Sequence, residues 1–220
     1  MIALAQGQRA ERKLLITVAE WKADDGRFYV LQTSQPADWD TEYDTYYTYS
    51  TDTYSLVTSD TAPTWQANTY YTRVERELLG TRTPDSSIAY NPEIENSTDI
   101  LGNNYADVNK TQPQQDFDPY LILGGSKLGP KLNDIRRRNA LSELNQFTIY
   151  IITAFDVTIT PLTTGSLTAY NAERHVECTI VYQSIGGESN VNFPISVYFS
   201  NKITLGTVDK LEDGFVFTEA

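Results

Sequence analysis

From Gln146 to Phe199 apolar side chains recur at every second position in three runs, and a chain written with that period has to build sheets. Phe147, Ile149, Ile151, Thr153 and Phe155 fall on one face of the first run, and Tyr150, Ile152 and Ala154 on the other. A strand that is apolar on both faces needs cover on both, which predicts a central position. Val176, Cys178, Ile180 and Tyr182 alternate with Glu177, Thr179, Val181 and Gln183. Past Gly186 and Gly187, Val191, Phe193, Ile195, Val197 and Phe199 alternate with Asn192, Pro194, Ser196 and Tyr198. These two runs predict half-buried antiparallel strands, the last at an edge or a bulge because Pro194 has no ladder donor. Cys178 is the only cysteine, so no internal disulfide forms, and its place on an apolar face predicts burial.

Upstream, Leu14 to Trp21 and Arg27 to Leu31 predict a hairpin around the turn-forming Asp24-Asp25-Gly26. Val74 to Arg82 predicts another strand. Residues 83–126 read as irregular, since Pro84, Pro92, Pro113 and Pro119 recur there among Gly, Asn, Asp and Gln. One helix stands out after Gly124-Gly125-Ser126. Leu128, Leu132 and Ile135 make a single stripe at i, i+4 and i+7, and Arg136, Arg137 and Arg138 sit where they suit the dipole. Pro130 is best placed at the first helical position, which leaves the start open by a turn. The three arginines read as a solvated helix end paired with acidic neighbours, with phosphate binding as the sharper alternative. The alternation and the single stripe together predict a mainly β (α+β) fold, a β-rich domain with one docked helix. At 220 residues the chain can bury such a core without staples.

Between Phe28 and Thr72 the chain has no Lys or Arg, yet it carries six carboxylates, two of the three Trp and eight of the fifteen Tyr. Asp38, Asp40, Glu42, Asp44, Asp52 and Asp60 supply half of the formal net charge of −12. That acidity repels phosphates and anionic membranes, which argues against tight nucleic acid binding. Thr45-Tyr46-Tyr47-Thr48 recurs as Thr69-Tyr70-Tyr71-Thr72, each copy preceded by a Pro and a Trp, Pro36 with Trp39 and Pro63 with Trp65. The duplication is too short for a solenoid and predicts one small β-module at 33–73. Three readings of its aromatic residues stay open. They form the module's core, since Leu56 and Val57 are the only large aliphatics there. They form a glycan-stacking platform, through Trp39, Tyr43, Tyr46, Tyr47, Trp65, Tyr70 and Tyr71. Or they contact a neighbouring subunit. Asp38, Asp40, Glu42 and Asp44, at spacing two, predict an acidic strand face with Trp39 and Tyr43 opposite. A calcium loop is disfavoured, because the turn Gly and distal Glu of an EF-hand are missing.

No chemistry is written into the remaining motifs. His175 has no nucleophile at a useful spacing, and His175 with Cys178 supplies two ligands where a zinc site needs more, so a surface or hydrogen-bonded His is expected. Gly124-Gly125-Ser126-Lys127 lacks the length and preceding strand of a phosphate loop. No enzyme, metal or cofactor is expected. Residues 1–20 hold no long apolar run, being interrupted by Arg9, Glu11, Arg12 and Lys13, so folding outside a secretory pathway is expected. No stretch approaches a membrane span.

An ordered series of short motifs carries a resemblance. Leu79-Gly80-Thr81-Arg82, Asp85-Ser86-Ser87-Ile88-Ala89-Tyr90, Thr98-Asp99-Ile100-Leu101-Gly102 and Asp107-Val108-Asn109-Lys110-Thr111 are followed by Phe117-Asp118-Pro119-Tyr120, Gly124-Gly125-Ser126-Lys127-Leu128 and Lys131-Leu132-Asn133-Asp134-Ile135. Asn139-Ala140-Leu141-Ser142-Glu143-Leu144, Ala172-Glu173-Arg174-His175, Thr179-Ile180, Gln183-Ser184-Ile185-Gly186-Gly187 and Asn192-Phe193-Pro194-Ile195 continue it. The series resembles the major tail tube proteins of long-tailed bacteriophages, weakly over residues 9–20 and well over 78–210. The resemblance implies an antiparallel β-sandwich or barrel-like tail tube domain at 1–32 and 74–220, with one flanking α-helix, and a small β-rich insertion at 33–73. It also implies hexameric rings of identical subunits, stacked into a virion tail assembled in the host cytoplasm. Partners would be other copies and the tape measure, terminator and distal tail proteins, with double-stranded DNA passing through the lumen without specific binding. The tube subunit of a bacteriocin or contractile injection system shares that pattern. The alternative from another class, raised by the aromatic block, is a carbohydrate-binding adhesion protein.

Overall fold

The computed structural model describes residues 15–79, 87–98, 101, 103–122, 125–153, 170–186, 192–209 and 214–220. Leu14, Gly80 to Arg82, Ala154, Phe155, Gly187 and Val191, which the sequence pattern assigns to strands or turns, lie outside them. The protein is mainly β, with antiparallel strand pairs throughout and two short α-helices among the described residues. It divides into two compact units, Glu20–Arg76 and the remainder of the chain.

The smaller unit contains the end of β1 (Leu15–Lys22), β2 (Phe28–Leu31), α1 (Trp39–Glu42), β3 (Tyr46–Ser50), β4 (Thr53–Leu56) and all but the last three residues of β5 (Tyr70–Leu79). Its strands run β4-β3-β5, with β2 also hydrogen-bonded to β5. Asp24-Asp25-Gly26 makes the expected turn, closed by Gly26 N–H donating to the Ala23 carbonyl at 3.0 Å. The strands it joins do not form the expected hairpin. β2 pairs instead with β5, from Phe28 opposite Val74 to Leu31 opposite Tyr71. Gly26 is what lets β5 come so close: a Cβ there would stand 2.3 Å from the Val74 carbonyl oxygen. Arg73 of β5 then donates to the carbonyls of Gly26 and Asp24, both at 2.6 Å.

Two further expectations change here. The acidic run is helical: α1 and a 3-10 turn at Tyr43–Thr45 follow Asp38. Asp38 and Glu42 therefore stand one turn apart, where both reach Lys22 Nζ, at 3.5 and 2.9 Å, rather than lining a strand face. The strand expected from Val74 also begins four residues earlier, at Tyr70, because Tyr70 and Tyr71 pair with β3.

The larger unit runs β1, β10 (Phe147–Thr153), β11 (Tyr170–Tyr182), β12 (Ile195–Tyr198), β9 (Gln114–Phe117) and β6 (Ile88–Ala89), with β13 (Ile203–Val208) paired to β11 and β14 (Phe217–Glu219) to β13. The stretch read as irregular holds β6 (Ile88–Ala89), β7 (Glu93–Thr98), β8 (Asn104–Lys110) and β9 (Gln114–Phe117). Its prolines punctuate these strands, with Pro92 just before β7, Pro113 just before β9 and Pro119 after it. β7, β8 and β9 are mostly polar and β6 is only two residues long, so no apolar period announced them. β7 and β8 form a separate two-stranded sheet with Ile94 opposite Val108.

Helix α2 (Leu128–Arg138) buries Leu128, Leu132 and Ile135 completely, the stripe that the spacing predicts. Pro130 is its third residue, still within the first turn, where its missing N–H costs no intrahelical bond. No side chain of the helix's own segment caps it. Glu77 of β5 accepts from the Lys127 and Leu128 N–H groups at 2.6 and 2.9 Å, and also from the hydroxyls of Ser126 and Tyr120. Of the three arginines at the other end, Arg138 pairs with Asp134 at 2.7 Å and Glu143 at 2.8 Å as expected, while Arg136 donates instead to the Asn133 side-chain oxygen at 2.9 Å.

β10 (Phe147–Thr153) lies between β1 and β11, with Phe147, Ile149, Tyr150, Ile151 and Ile152 all buried, as its two apolar faces predict. β11 (Tyr170–Tyr182) buries Cys178 and Ile180, but not Val176. Phe147 faces Cys178 while Ile149 faces His175, so β11 carries one extra residue, and Glu177 takes φ +58° there. That bulge throws Val176 off the core face and puts His175 on it. β12 (Ile195–Tyr198) is paired on both sides, to β11 and β9, so Pro194 precedes an interior strand rather than marking an edge. β13 (Ile203–Val208) and β14 (Phe217–Glu219) complete the unit. Val18, Tyr150, Ile152, Ala172, Val208 and Phe215 pack as one buried cluster.

Candidate functional site

The duplicated tetrapeptides of the smaller unit pair with each other. Tyr46 lies opposite Thr72, Tyr47 opposite Tyr71 and Thr48 opposite Tyr70 in the β3–β5 ladder. Because successive strand residues point to opposite faces, each copy sends one Tyr inward and one outward.

The inward face is a core. Trp39, Tyr46, Tyr70 and Val57 are buried together, with Tyr43 and Trp65 half-buried against them. The Trp39 ring centre lies 4.4 Å from that of Tyr70 and 4.8 Å from that of Trp65, and its indole N–H donates to the Pro63 carbonyl at 3.0 Å. Trp39 is 1 % exposed, so it has no ring face left to offer a sugar. The platform reading is corrected for Trp39, Tyr46 and Tyr70, which supply the buried area that the missing aliphatics cannot. Tyr46 donates its hydroxyl to Asp38 at 2.7 Å. Burial, then the bond and charge of Asp38, push the Tyr46 phenol well above its ordinary value. Burial pulls the Asp38 carboxyl up, but the Tyr46 bond and Lys22 outweigh it and hold Asp38 below its usual range.

The outward face is a second tyrosine group. Tyr47 and Tyr71 are joined there by Tyr49, Tyr54 and Tyr29, since Tyr49 pairs with Tyr54 and Tyr29 with Arg73. Tyr29 and Tyr54 stack at 3.8 Å with their planes 2° apart, and the Tyr47 edge meets Tyr29 at 5.1 Å. Tyr71 meets Tyr54 edge-on at 5.1 Å. Tyr49 is 47 % exposed, and Leu31 and Leu56 border the group in the open. Burial, and then Tyr71, Tyr49 and Tyr29, push the Tyr54 phenol up. Of this face sequence reasoning found Tyr47 and Tyr71 and missed Tyr29, Tyr49 and Tyr54. Tyr49 was within reach, standing two residues from Tyr47 on a strand. Tyr29 and Tyr54 become neighbours only through pairing across the sheet.

A depression of about 270 Å³ adjoins this face, lined by Lys22, Asp24, Asp44, Tyr47, Leu56 and Arg73. Arg73 is held by the two turn carbonyls, and its guanidinium also lies over the Tyr29 ring at 5.9 Å. The carboxylates of Asp24 and Asp44 are exposed and take no hydrogen bond or ion pair among the described residues. The unit's remaining cations are engaged, Lys22 with Asp38 and Glu42, Arg27 with Glu75 and Arg76 with Glu20.

The larger unit shows a different surface. Ile94 and Val108, paired on the β7–β8 hairpin, are 55 % and 61 % exposed, and Tyr90 beside it is exposed too. His175 is buried, with Nδ1 at 3.1 Å from the Ser200 carbonyl and Nε2 at 3.3 Å from Glu173, so it is hydrogen-bonded rather than poised. Burial pushes the Cys178 thiol up. Among the described residues no group of three or more His, Cys, Asp or Glu is placed to hold a metal ion. No helix among them is long and apolar enough to cross a membrane. No protein-family model, curated protein or solved structure matches this chain.

Proposed function

We propose that this chain is a tail tube subunit of a long-tailed bacteriophage, which assembles into stacked hexameric rings and conducts the genome without catalysis. The observation that carries the proposal is the β7–β8 hairpin, a two-stranded sheet of its own whose paired Ile94 and Val108 stand open to solvent. A lone two-stranded ribbon is marginal in water. Such a ribbon, exposing apolar side chains, is economical only when a neighbour covers it, and in a homo-oligomer the neighbour is another copy. The hairpin falls within the motif series that resembles the tail tube family. Strand edges left open in a single subunit find partners in a closed ring. Net acidity suits a conduit, because a negative lumen keeps duplex DNA hydrated and moving. Its partners in this reading are further copies of itself and the tape measure, terminator and distal tail proteins, within a virion tail.

Negative-stain microscopy of the purified protein is the test. Rings and tubes are expected from the unaltered chain, and Ile94→Asp with Val108→Asp is expected to leave folded subunits that no longer associate. Monodisperse monomers under every assembly condition would overturn the proposal.

A further inference from the structure

We infer that the depression beside the outward tyrosine face binds one ring of a neutral oligosaccharide. This goes beyond tube assembly and does not depend on it. The two walls of the depression differ in kind. Tyr47 and Leu56 present apolar surface continuous with the Tyr29, Tyr54 and Tyr71 rings. Asp24, Asp44, Lys22 and Arg73 present two acceptors and two donors. A sugar ring has that same duality, with C–H faces that lie on aromatic rings and hydroxyls that both donate and accept. Its size also fits, since 270 Å³ is just below the ~300 Å³ at which pockets for drug-sized ligands begin.

Other ligand classes fit less well. The unit from Glu20 to Arg76 holds ten carboxylates and four cations, so polyanions such as nucleic acid or sulfated glycans are repelled. A proline-rich peptide also docks on tyrosines, but its proline residues have no N–H to donate to Asp24 and Asp44. A sugar hydroxyl satisfies them as a donor. Arg73 is already held by the Gly26 and Asp24 carbonyls, so little side-chain entropy is lost when a ligand arrives.

The test uses the labelled full chain on an array carrying neutral, sialylated and sulfated glycans, with a proline-rich peptide spotted beside them. Binding to at least one neutral glycan is expected, weakened about tenfold by Asp44→Asn or Tyr47→Ala. Asp44 is exposed and unpartnered among the described residues, so Asp44→Asn keeps the fold even where Tyr47→Ala does not. Tryptophan emission checks the fold of each variant, and microscopy of the same samples reads assembly separately. No neutral glycan bound, retention only on sulfated glycans or the peptide, or full binding by both folded variants would overturn the inference.

Discussion

Tyr46 and Tyr47 are adjacent in the chain and have opposite environments. Tyr46 is buried against Trp39, while Tyr47 lines an open depression, and the same division recurs at Tyr70 and Tyr71. The physical cause is the two-residue period of a strand with one face covered. Trp39 sits at the centre of the covered side. Trp39→Ala is therefore expected to cost about 3–5 kcal/mol, enough to unfold the smaller unit, whereas Tyr49→Ala on the open side is expected to cost about 1 kcal/mol. Urea titration followed by tryptophan emission from Trp21 and Trp65 separates the two outcomes. Which Tyr of each duplicated pair goes inward could not be read locally, because the alternation defines two faces without saying which one is covered.

Helix α2 depends on a residue fifty positions away. Its N-terminal N–H groups at Lys127 and Leu128 have the Glu77 carboxylate as acceptor, and the same carboxylate receives the buried Tyr120 hydroxyl. Burial, and then Glu77, push the Tyr120 phenol up. Glu77→Ala is expected to cost about 2–4 kcal/mol, combining a lost cap with an orphaned hydroxyl, and Glu77→Gln to recover part of it. Guanidinium unfolding followed by far-UV circular dichroism measures both. The helix itself was legible, since its 3.6-residue stripe survives as a buried line from Leu128 to Ile135. Its cap was not, because a capping carboxylate on a distant strand leaves no local sign. β7 and β8 were missed for a related reason: they are defined by backbone pairing across polar residues, and the prolines around them suggested loops. The β11 bulge is a third case, where one inserted residue at Glu177 reverses the faces expected for Val176 and His175.

For the whole molecule, charge is concentrated where the tryptophans are. Trp21, Trp39 and Trp65 all lie in the unit Glu20–Arg76, so tryptophan emission reports that unit's unfolding alone. Asp38 has a lowered folded pKa, so its contribution to stability is present above the unfolded value of about 3.9 and is lost as pH falls through the folded one. Tyr46 has a raised folded pKa, so its contribution is fully present below about 10 and is lost as pH rises through the folded value. Emission against pH is expected to show a plateau of stability with an acid and an alkaline limb, and Asp38→Asn is expected to weaken both, since the two groups share one hydrogen bond. An unchanged profile in that variant would show that the Asp38–Tyr46 bond does not set these limits. Periodicity alone determined that the chain is mainly β, that residues 147–152 are covered on both faces and that one amphipathic helix docks, because each follows from side chains spaced along one segment. Pairing β2 with β5 rather than β1, dividing the tyrosines into a core and an open face, and setting Lys22, Asp44 and Arg73 around one depression were decided only by tertiary structure. Those arrangements join residues dozens of positions apart, and the free energy that selects among them comes from contacts between segments, which no single segment contains.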